Sequence, residues 1–246
     1  MKPKPTVFRY SWILFDADGT LFDYDAAEAA ALAASFARIG HVFLPEHSEI
    51  YRTINGRMWL ELEEGTTTQE RLRIERFEKL FKAIGVNGDP VEFSDDYTAK
   101  LATQTGLIDG ADSTVAALAK VAYLMLITNG LAEVQRPRFA ASSIRQHFEG
   151  LVISEEVGAA KPDPRIFDTA FACMHHPKKS EVLMVGDSLT SDVKGGNDSG
   201  IDTCWFNPSG LPLQDGVEPT YEIRRIAELL KLCRGSDRTI DEGGNA

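Results

Sequence analysis

Residues 12–20 read WILFDADGT: four apolar residues run straight into Asp16, Ala17, Asp18, Gly19 and Thr20. An apolar run this short, halted by Asp and Gly, predicts a strand buried on both faces, the habit of a parallel sheet. Val7 and Phe8 extend the apolar character upstream. Comparable runs recur far downstream at 121–128 (VAYLMLIT), 151–154 (LVIS) and 182–185 (VLMV), with a weaker one at 203–206. Helical patterns at 113–119, 165–174 and 191–199 alternate with them, and such alternation predicts right-handed βαβ units. The expected fold class is α/β, with a Rossmann-like parallel-sheet core.

Outward from the first strand, residues 23–107 are far too many for one crossover. They match a small domain in size and read as helical. The alanine-rich stretch 26–39 spaces Leu32, Phe36 and Ile39 on one face, and 71–84 does the same with Leu72, Phe77, Leu80, Phe81 and Ile84. Gly40, Gly65, Gly85 and Pro90 punctuate these stretches. The predicted organisation is a core of residues 1–22 and 108–234, an all-helical cap at 23–107, and a disordered tail at 235–246, which is polar and lacks any apolar period. Segments 22–25 and 107–110 are the expected hinges for closure over a substrate.

Composition removes several classes. With 43% hydrophobic and 26% charged residues in 246, the chain is ordinary globular material, and no apolar run of about 18 residues predicts a membrane span. A net charge of −11 makes a surface that repels nucleic-acid polymers. Cys173, Cys204 and Cys233 lack zinc-type spacing and are odd in number, which suits a reducing compartment and gives the cytoplasm as the expected location. Cys173 and Cys204 fall on apolar faces and are expected in the core, Trp205 is expected to pack, and His175 and His176 are expected in a surface loop.

In an open parallel sheet, ligands gather beyond the carboxyl ends of the strands. The first strand ends in Asp16, Asp18 and Gly19; the second in Thr128, Asn129 and Gly130; Lys161 follows the third; the fourth ends in Gly186 and Asp187, with Asp192 beyond. Asp16, Asp18 and Asp187 brought together would repel one another unless a cation sat between them. An oxygen-only set without His or Cys favours Mg²⁺ over zinc or iron. Lys161, Thr128 and free backbone N–H groups near Gly19 and Gly130 would complement an anion. The combination points to phosphoryl chemistry on a small-molecule phosphate monoester.

The strings FDADGTLF (15–22) and VGDSLTSD (185–192), with Thr128-Asn129 and Lys161-Pro162 between them, resemble the four ordered motifs of the haloacid dehalogenase-like (HAD) superfamily. A helical insert directly after the first motif is similar to that superfamily's first cap class. The resemblance implies Asp16 as the nucleophile that becomes an aspartyl-phosphate, and Asp18 as the acid that protonates the leaving oxygen and then deprotonates water, a task that calls for a raised pKa. It implies Thr128 and Lys161 on the phosphoryl oxygens, and Mg²⁺ held by Asp16, Asp187 and the Asp18 main-chain carbonyl, with Asp192 as a further ligand or support. A carboxylate at position 18 argues against carbon–halogen cleavage, which needs no proton donor.

Longer stretches, 15–28, 152–167 and 182–208, resemble the bacterial pyrimidine 5′-nucleotidase branch, whose members act on nucleoside monophosphates. Some members of that branch carry Glu where Gly19 stands; glycine is the commoner superfamily form. In the cap, Tyr51, Asn55, Arg57 and Trp59 form a polar and aromatic cluster suited to stacking on a base and bonding its edge. Asn55 and Trp59, with Phe22 at the hinge, are the expected leaving-group contacts, and Tyr24 adjoins them. The expected activity is that of an Mg²⁺-dependent 5′-nucleotidase. Alternatives are a sugar-phosphate or phosphoglycolate phosphatase, a phosphosugar mutase, and a binding protein switched by aspartyl-phosphate or metal. These residues decide neither the preferred base nor a choice between monomer and dimer.

Overall fold

The computed structural model describes residues 9–214 and 216–232. The predicted disordered tail, with Val7, Phe8 and Cys233, lies outside the described residues. In chain order the elements are β1 (Trp12–Phe15), α1 (Tyr24–Arg38), α2 (Pro45–Glu63), α3 (Gln69–Ile84), α4 (Pro90–Leu101), α5 (Ala111–Leu118), β2 (Tyr123–Thr128), α6 (Ala132–Ala141), β3 (Gly150–Ile153), α7 (Ser154–Val157), α8 (Pro164–Cys173), β4 (Val182–Gly186), α9 (Lys194–Asp198), β5 (Asp202–Phe206), β6 (Tyr221–Ile223) and α10 (Leu229–Leu232). The strands form one parallel sheet in the order β3-β2-β1-β4-β5-β6. The core is therefore an α/β parallel-sheet fold.

β1 lies inside this sheet, and the pleat sends its side chains alternately to two faces. Ile13 and Phe15 join Leu124, Leu126, Leu183 and Val185 on one face; Trp12 and Leu14 join Met125, Ile127 and Met184 on the other. That is why the run is apolar without a gap. β2 starts later than the sequence pattern suggested, because Val121 and Ala122 close the turn after α5 by donating to Leu118 O. The stretch 191–199 divides into one wide helical turn at 189–193 and the short α9.

Helices α1 to α4 fill residues 24–101 between β1 and β2. Asp23 caps α1, accepting from the Ala26 N–H, and Asp89 caps α4 with Pro90 in its first turn. Gly85 ends α3 at φ 69°, a left-handed stop that a side chain would strain. Phe36, Phe77, Phe81 and Phe93 build a separate aromatic core for these helices. The two chain passages joining helices to sheet run side by side: Asp23 N–H bonds Gly106 O and Ile108 N–H bonds Leu21 O. Cys173 is exposed, contrary to its expected place in the core, because it lies on the solvent side of α8; Cys204 is buried. His175 and His176 are exposed in a loop as expected. Among the described residues, no helix is long and apolar enough to cross a membrane.

Candidate active site

Parallel register places the ends of β1, β2 and β4 side by side, and Lys161 reaches into the gap from the loop before α8. Its Nζ donates to Asp16 Oδ1 at 2.6 Å, Asp192 Oδ1 at 2.7 Å and Ile127 O at 3.0 Å, with only 1% of the residue exposed. Burial opposes the ammonium charge, but Asp16 and Asp192 outweigh it and hold the Lys161 pKa above its usual value. Asn129 pins this lysine by its backbone: Nδ2 donates to Lys161 O at 2.9 Å and Oδ1 accepts from Lys161 N at 2.7 Å. The Asn129 side chain thus shapes the loop, where a phosphate contact was expected. Of the backbone donors in this region, those of the two glycines themselves are engaged: Gly19 N–H bonds Phe22 O at 3.1 Å, and Gly130 N–H bonds Thr128 Oγ1 at 3.1 Å.

Carboxylate oxygens of Asp16, Asp187 and Asp192 lie within 4.8 Å of one another. Two glycines make room for them. At Gly186 a Cβ would stand 2.1 Å from Asp192 Oδ2, and at Gly19, φ 82°, it would stand 2.5 Å from Asp187 Oδ2. Asp192 Oδ2 accepts from Ser188 N–H, Asp187 Oδ1 from the Thr20 hydroxyl, and the Asp187 main-chain O from the Trp205 indole at 2.8 Å. Trp205 therefore does more than pack. Burial raises Asp16 to about 7, opposed by Lys161 and reinforced by Asp192. Asp187 borders solvent in the cleft yet is enclosed by protein elsewhere; burial, then Asp16 and Asp192, push its carboxyl up. One ammonium against three clustered carboxylates leaves negative charge over, and every donor is a hard oxygen. A divalent cation of the Mg²⁺ kind fits this set.

The Asp18 side chain turns the other way. Gln135 Nε2 donates to its Oδ2 at 2.6 Å, and Arg138 Nη2 pairs with its Oδ1, so its side chain stands apart from the three clustered carboxylates. Gln135 packs so tightly over Gly130 that a Cβ there would lie 2.2 Å from its Nε2. Arg138 is wholly buried with its guanidinium 4.6 Å from the Phe22 ring centroid. Phe22, expected to touch substrate, is instead fully buried in the sheet's core beneath that guanidinium. Neither Gln135 nor Arg138 was singled out by the sequence.

A cleft of about 280 Å³ joins Asp16, Thr128, Lys161 and Asp187 to Tyr24, Asn55, Trp59 and Glu63 of the helical insert. Glu63 accepts from the Thr190 hydroxyl at 3.0 Å, and burial raises its pKa. A larger cavity of about 450 Å³ flanks Gly19 and Asp187 on the hinge side. It is not lined by Asp16 or Lys161, so the smaller cleft is the candidate reaction chamber. The remaining cap residues of the expected cluster fall elsewhere. Tyr51 is buried and stacks on Phe77 at 5.7 Å, and Arg57 pairs with Glu61 at 2.9 Å on the solvent side.

A family model for haloacid dehalogenase-like hydrolases matches residues 10–200. The chain is 36% identical to the HAD-hydrolase YfnB of Bacillus subtilis, over 91% of this chain and 95% of that one. It is 34% identical to the pyrimidine 5′-nucleotidase YjjG of Escherichia coli, over 91% and 98% of the two chains. The pyrimidine 5′-nucleotidase PynA of Streptococcus pneumoniae is likewise 34% identical, over 90% and 94%. A crystal structure of YfnB bound to magnesium superposes with a TM-score of 0.87 at 35% identity, covering 92% of this chain and 99% of that one.

Proposed function

The chain belongs to the haloacid dehalogenase-like hydrolase family as a phosphoric monoester hydrolase, and from that premise we propose that it is an Mg²⁺-dependent 5′-nucleotidase acting through an aspartyl-phosphate. The observation that carries the reading is the gathering of Asp16, Lys161, Asp187 and Asp192 at one rim of the sheet. The names of the relatives YjjG and PynA support a nucleoside monophosphate as substrate, and a cleft of about 280 Å³ faced by Trp59 offers a ring face to a base, while the Asn55 amide is engaged by Tyr24 and Arg76. In this reading the small soluble nucleotide is met in the cytoplasm.

Each residue has a task. Asp16 attacks phosphorus with one carboxylate oxygen while the bond from phosphorus to the leaving oxygen breaks, and Asp18 supplies the proton that the leaving oxygen needs. Water then attacks the phosphoryl group, Asp18 takes its proton, and the bond to Asp16 breaks to release inorganic phosphate; splitting the displacement in two is the gain of covalent catalysis. Lys161 holds Asp16 in place and neutralises oxygens beside it. Thr128 offers its hydroxyl to the phosphoryl group. Asp16, Asp187 and Asp192 would hold Mg²⁺, which when bound neutralises phosphoryl charge. Asp18 lies against Gln135 and Arg138, and acting on the leaving oxygen requires its side chain to turn toward Asp16.

Phosphate release from a panel of 5′-nucleotides, sugar phosphates and phosphoglycolate, with and without excess EDTA, tests the reading. Preference for nucleotides and loss of turnover in EDTA are expected. Equal feeble turnover of every substrate would overturn the nucleotidase assignment, and full activity in EDTA would overturn the metal's role.

A further inference from the structure

Arg76, on α3, is 2% exposed and is bonded through Nη1 alone, to Asn55 Oδ1 at 3.3 Å. Its Nε and Nη2 have no hydrogen-bond partner among the described residues. The guanidinium lies 4.8 Å from the Phe77 ring centroid and 5.1 Å from that of Tyr97. Glu28, a buried carboxylate that contributes to its electrostatic surroundings, pairs with Arg52 at 3.6 Å instead. Aromatic faces recover part of the solvation of a buried cation, but two N–H groups left without acceptors are a standing cost to the fold. Such a cost calls for an acceptor supplied from outside.

The place for it adjoins the reaction cleft. Arg76 lines a crevice of about 20 Å³ that shares Asp18, Tyr24, Trp59 and Gly130 with that cleft. This is room for one water-sized group, which excludes a second phosphate or a carboxylate. Leu101, Leu131 and Val134 add apolar walls, and Gln135 completes the lining. Asn55 is fixed in orientation, since its Nδ2 donates to the Tyr24 hydroxyl at 3.3 Å while its Oδ1 faces Arg76. The Arg76 side of the crevice therefore presents only donors and suits a single acceptor atom.

We propose that Arg76 is a specificity-determining residue that binds a carbonyl oxygen of the substrate's base, placed beside Trp59. The inference rests on the nucleotidase reading and deepens it by assigning the side chain that reads the base and the kind of atom it reads.

The test compares kcat/KM for uridine 5′-monophosphate with that for the 5′-monophosphate of a phenyl C-riboside, which keeps the sugar, the phosphate and a flat ring but has no carbonyl. Native protein is expected to favour the uridine compound by about 10- to 100-fold, the range of hydrogen bonds to a charged group. In Arg76→Met that preference is expected to fall at least about tenfold, chiefly through KM, and Arg76→Lys is expected to recover part of it. Equal kcat/KM for the two compounds in native protein would overturn the proposal, and needs no variant to fold. So would an Arg76→Met protein that keeps the preference, as it would if the crevice held only water. Turnover of phenyl phosphate with hydrolysis of neither riboside would overturn the nucleotidase reading itself, and this inference with it.

Discussion

Asp16 and Glu28 are both buried carboxyls pushed up to about 7, yet they are built for different ends. Asp16 has Lys161 at 2.6 Å and two more carboxylates beside it. Asp16→Asn keeps the shape and the oxygen facing Lys161 but removes the proposed nucleophile. Phosphate release is expected to fall by about 10³-fold or more, with the circular dichroism and unfolding midpoint retained; turnover within tenfold of the parent would sink the covalent route. Glu28 takes no part in the cleft. Burial raises it from the ordinary 4.5, against the opposing pull of Tyr24 and Arg52. A carboxyl raised in the folded state binds its proton more tightly there. Its contribution to stability, about 3 kcal/mol at most by linkage, is thus full below 4.5 and lost as pH rises through about 7. Glu28→Gln imitates the protonated form. Its thermal midpoint is expected to exceed the parent's near pH 8 and to vary less between about pH 5 and 8, as scanning fluorimetry would report.

At the scale of elements, α6 turns one face to the site: Gln135 and Arg138, three apart, both reach Asp18. Arg138→Met frees that carboxylate from its ion pair while keeping volume over Phe22. The expected result is a kcat lowered by about 10- to 100-fold with KM less affected, and an altered pH–rate profile, because a displaced acid–base group forfeits part of its contribution. An unchanged pH profile would assign Arg138 to packing alone. α6 also shows what a sequence conceals. Pro137 sits inside it and its amphipathic pattern is weak, so 132–141 carried no helix signal. β6 is three residues at the sheet's edge, too short for any period. Four of the five longer strands were legible because burial on both faces leaves an apolar run, whereas β5, with Asp202 and Thr203, gave a weaker one. The acidic residues at their ends were legible too, since parallel register brings strand ends together wherever the helices pack. Gln135, Arg138, Glu63 and Arg76 reach the cleft or its edge from helix faces, and nothing local distinguishes them from solvated polar residues. Asn129 and Phe22 misled for the converse reason: their neighbours in sequence are site residues, but a loop clamp and a core contact claim their side chains.

Over the whole molecule, the helical insert is fastened to the sheet around the cleft. Glu63 meets Thr190, Gln69 Nε2 donates to Ser154 Oγ at 3.0 Å, and Arg73 pairs with Glu133 at 2.6 Å. Closure excludes water and strengthens every charge interaction inside, so it also raises the cost of three carboxylates sharing one ammonium. A cation should therefore stabilise the entire fold, and more so at higher pH. Without it, Asp16 is held at about 7, with Asp187 also raised. Such groups contribute fully below the ordinary carboxylate range, and that contribution is lost as pH climbs through about 7. Mg²⁺ binds the ionised carboxylates and competes with their protons, so its affinity grows over the same window. At about 100 times its Kd it is expected to add about 2.7 kcal/mol of stability. Thermal midpoints at pH 5 and pH 8, each in EDTA and in Mg²⁺, are expected to show a small gain at the lower pH and a larger one at the higher. In Asp187→Asn the gain at pH 8 should shrink, because one anionic ligand becomes a neutral amide. A midpoint indifferent to Mg²⁺ at both pH values would show that this acidic cluster is settled by its own protons and Lys161, and would take the metal out of the proposed mechanism.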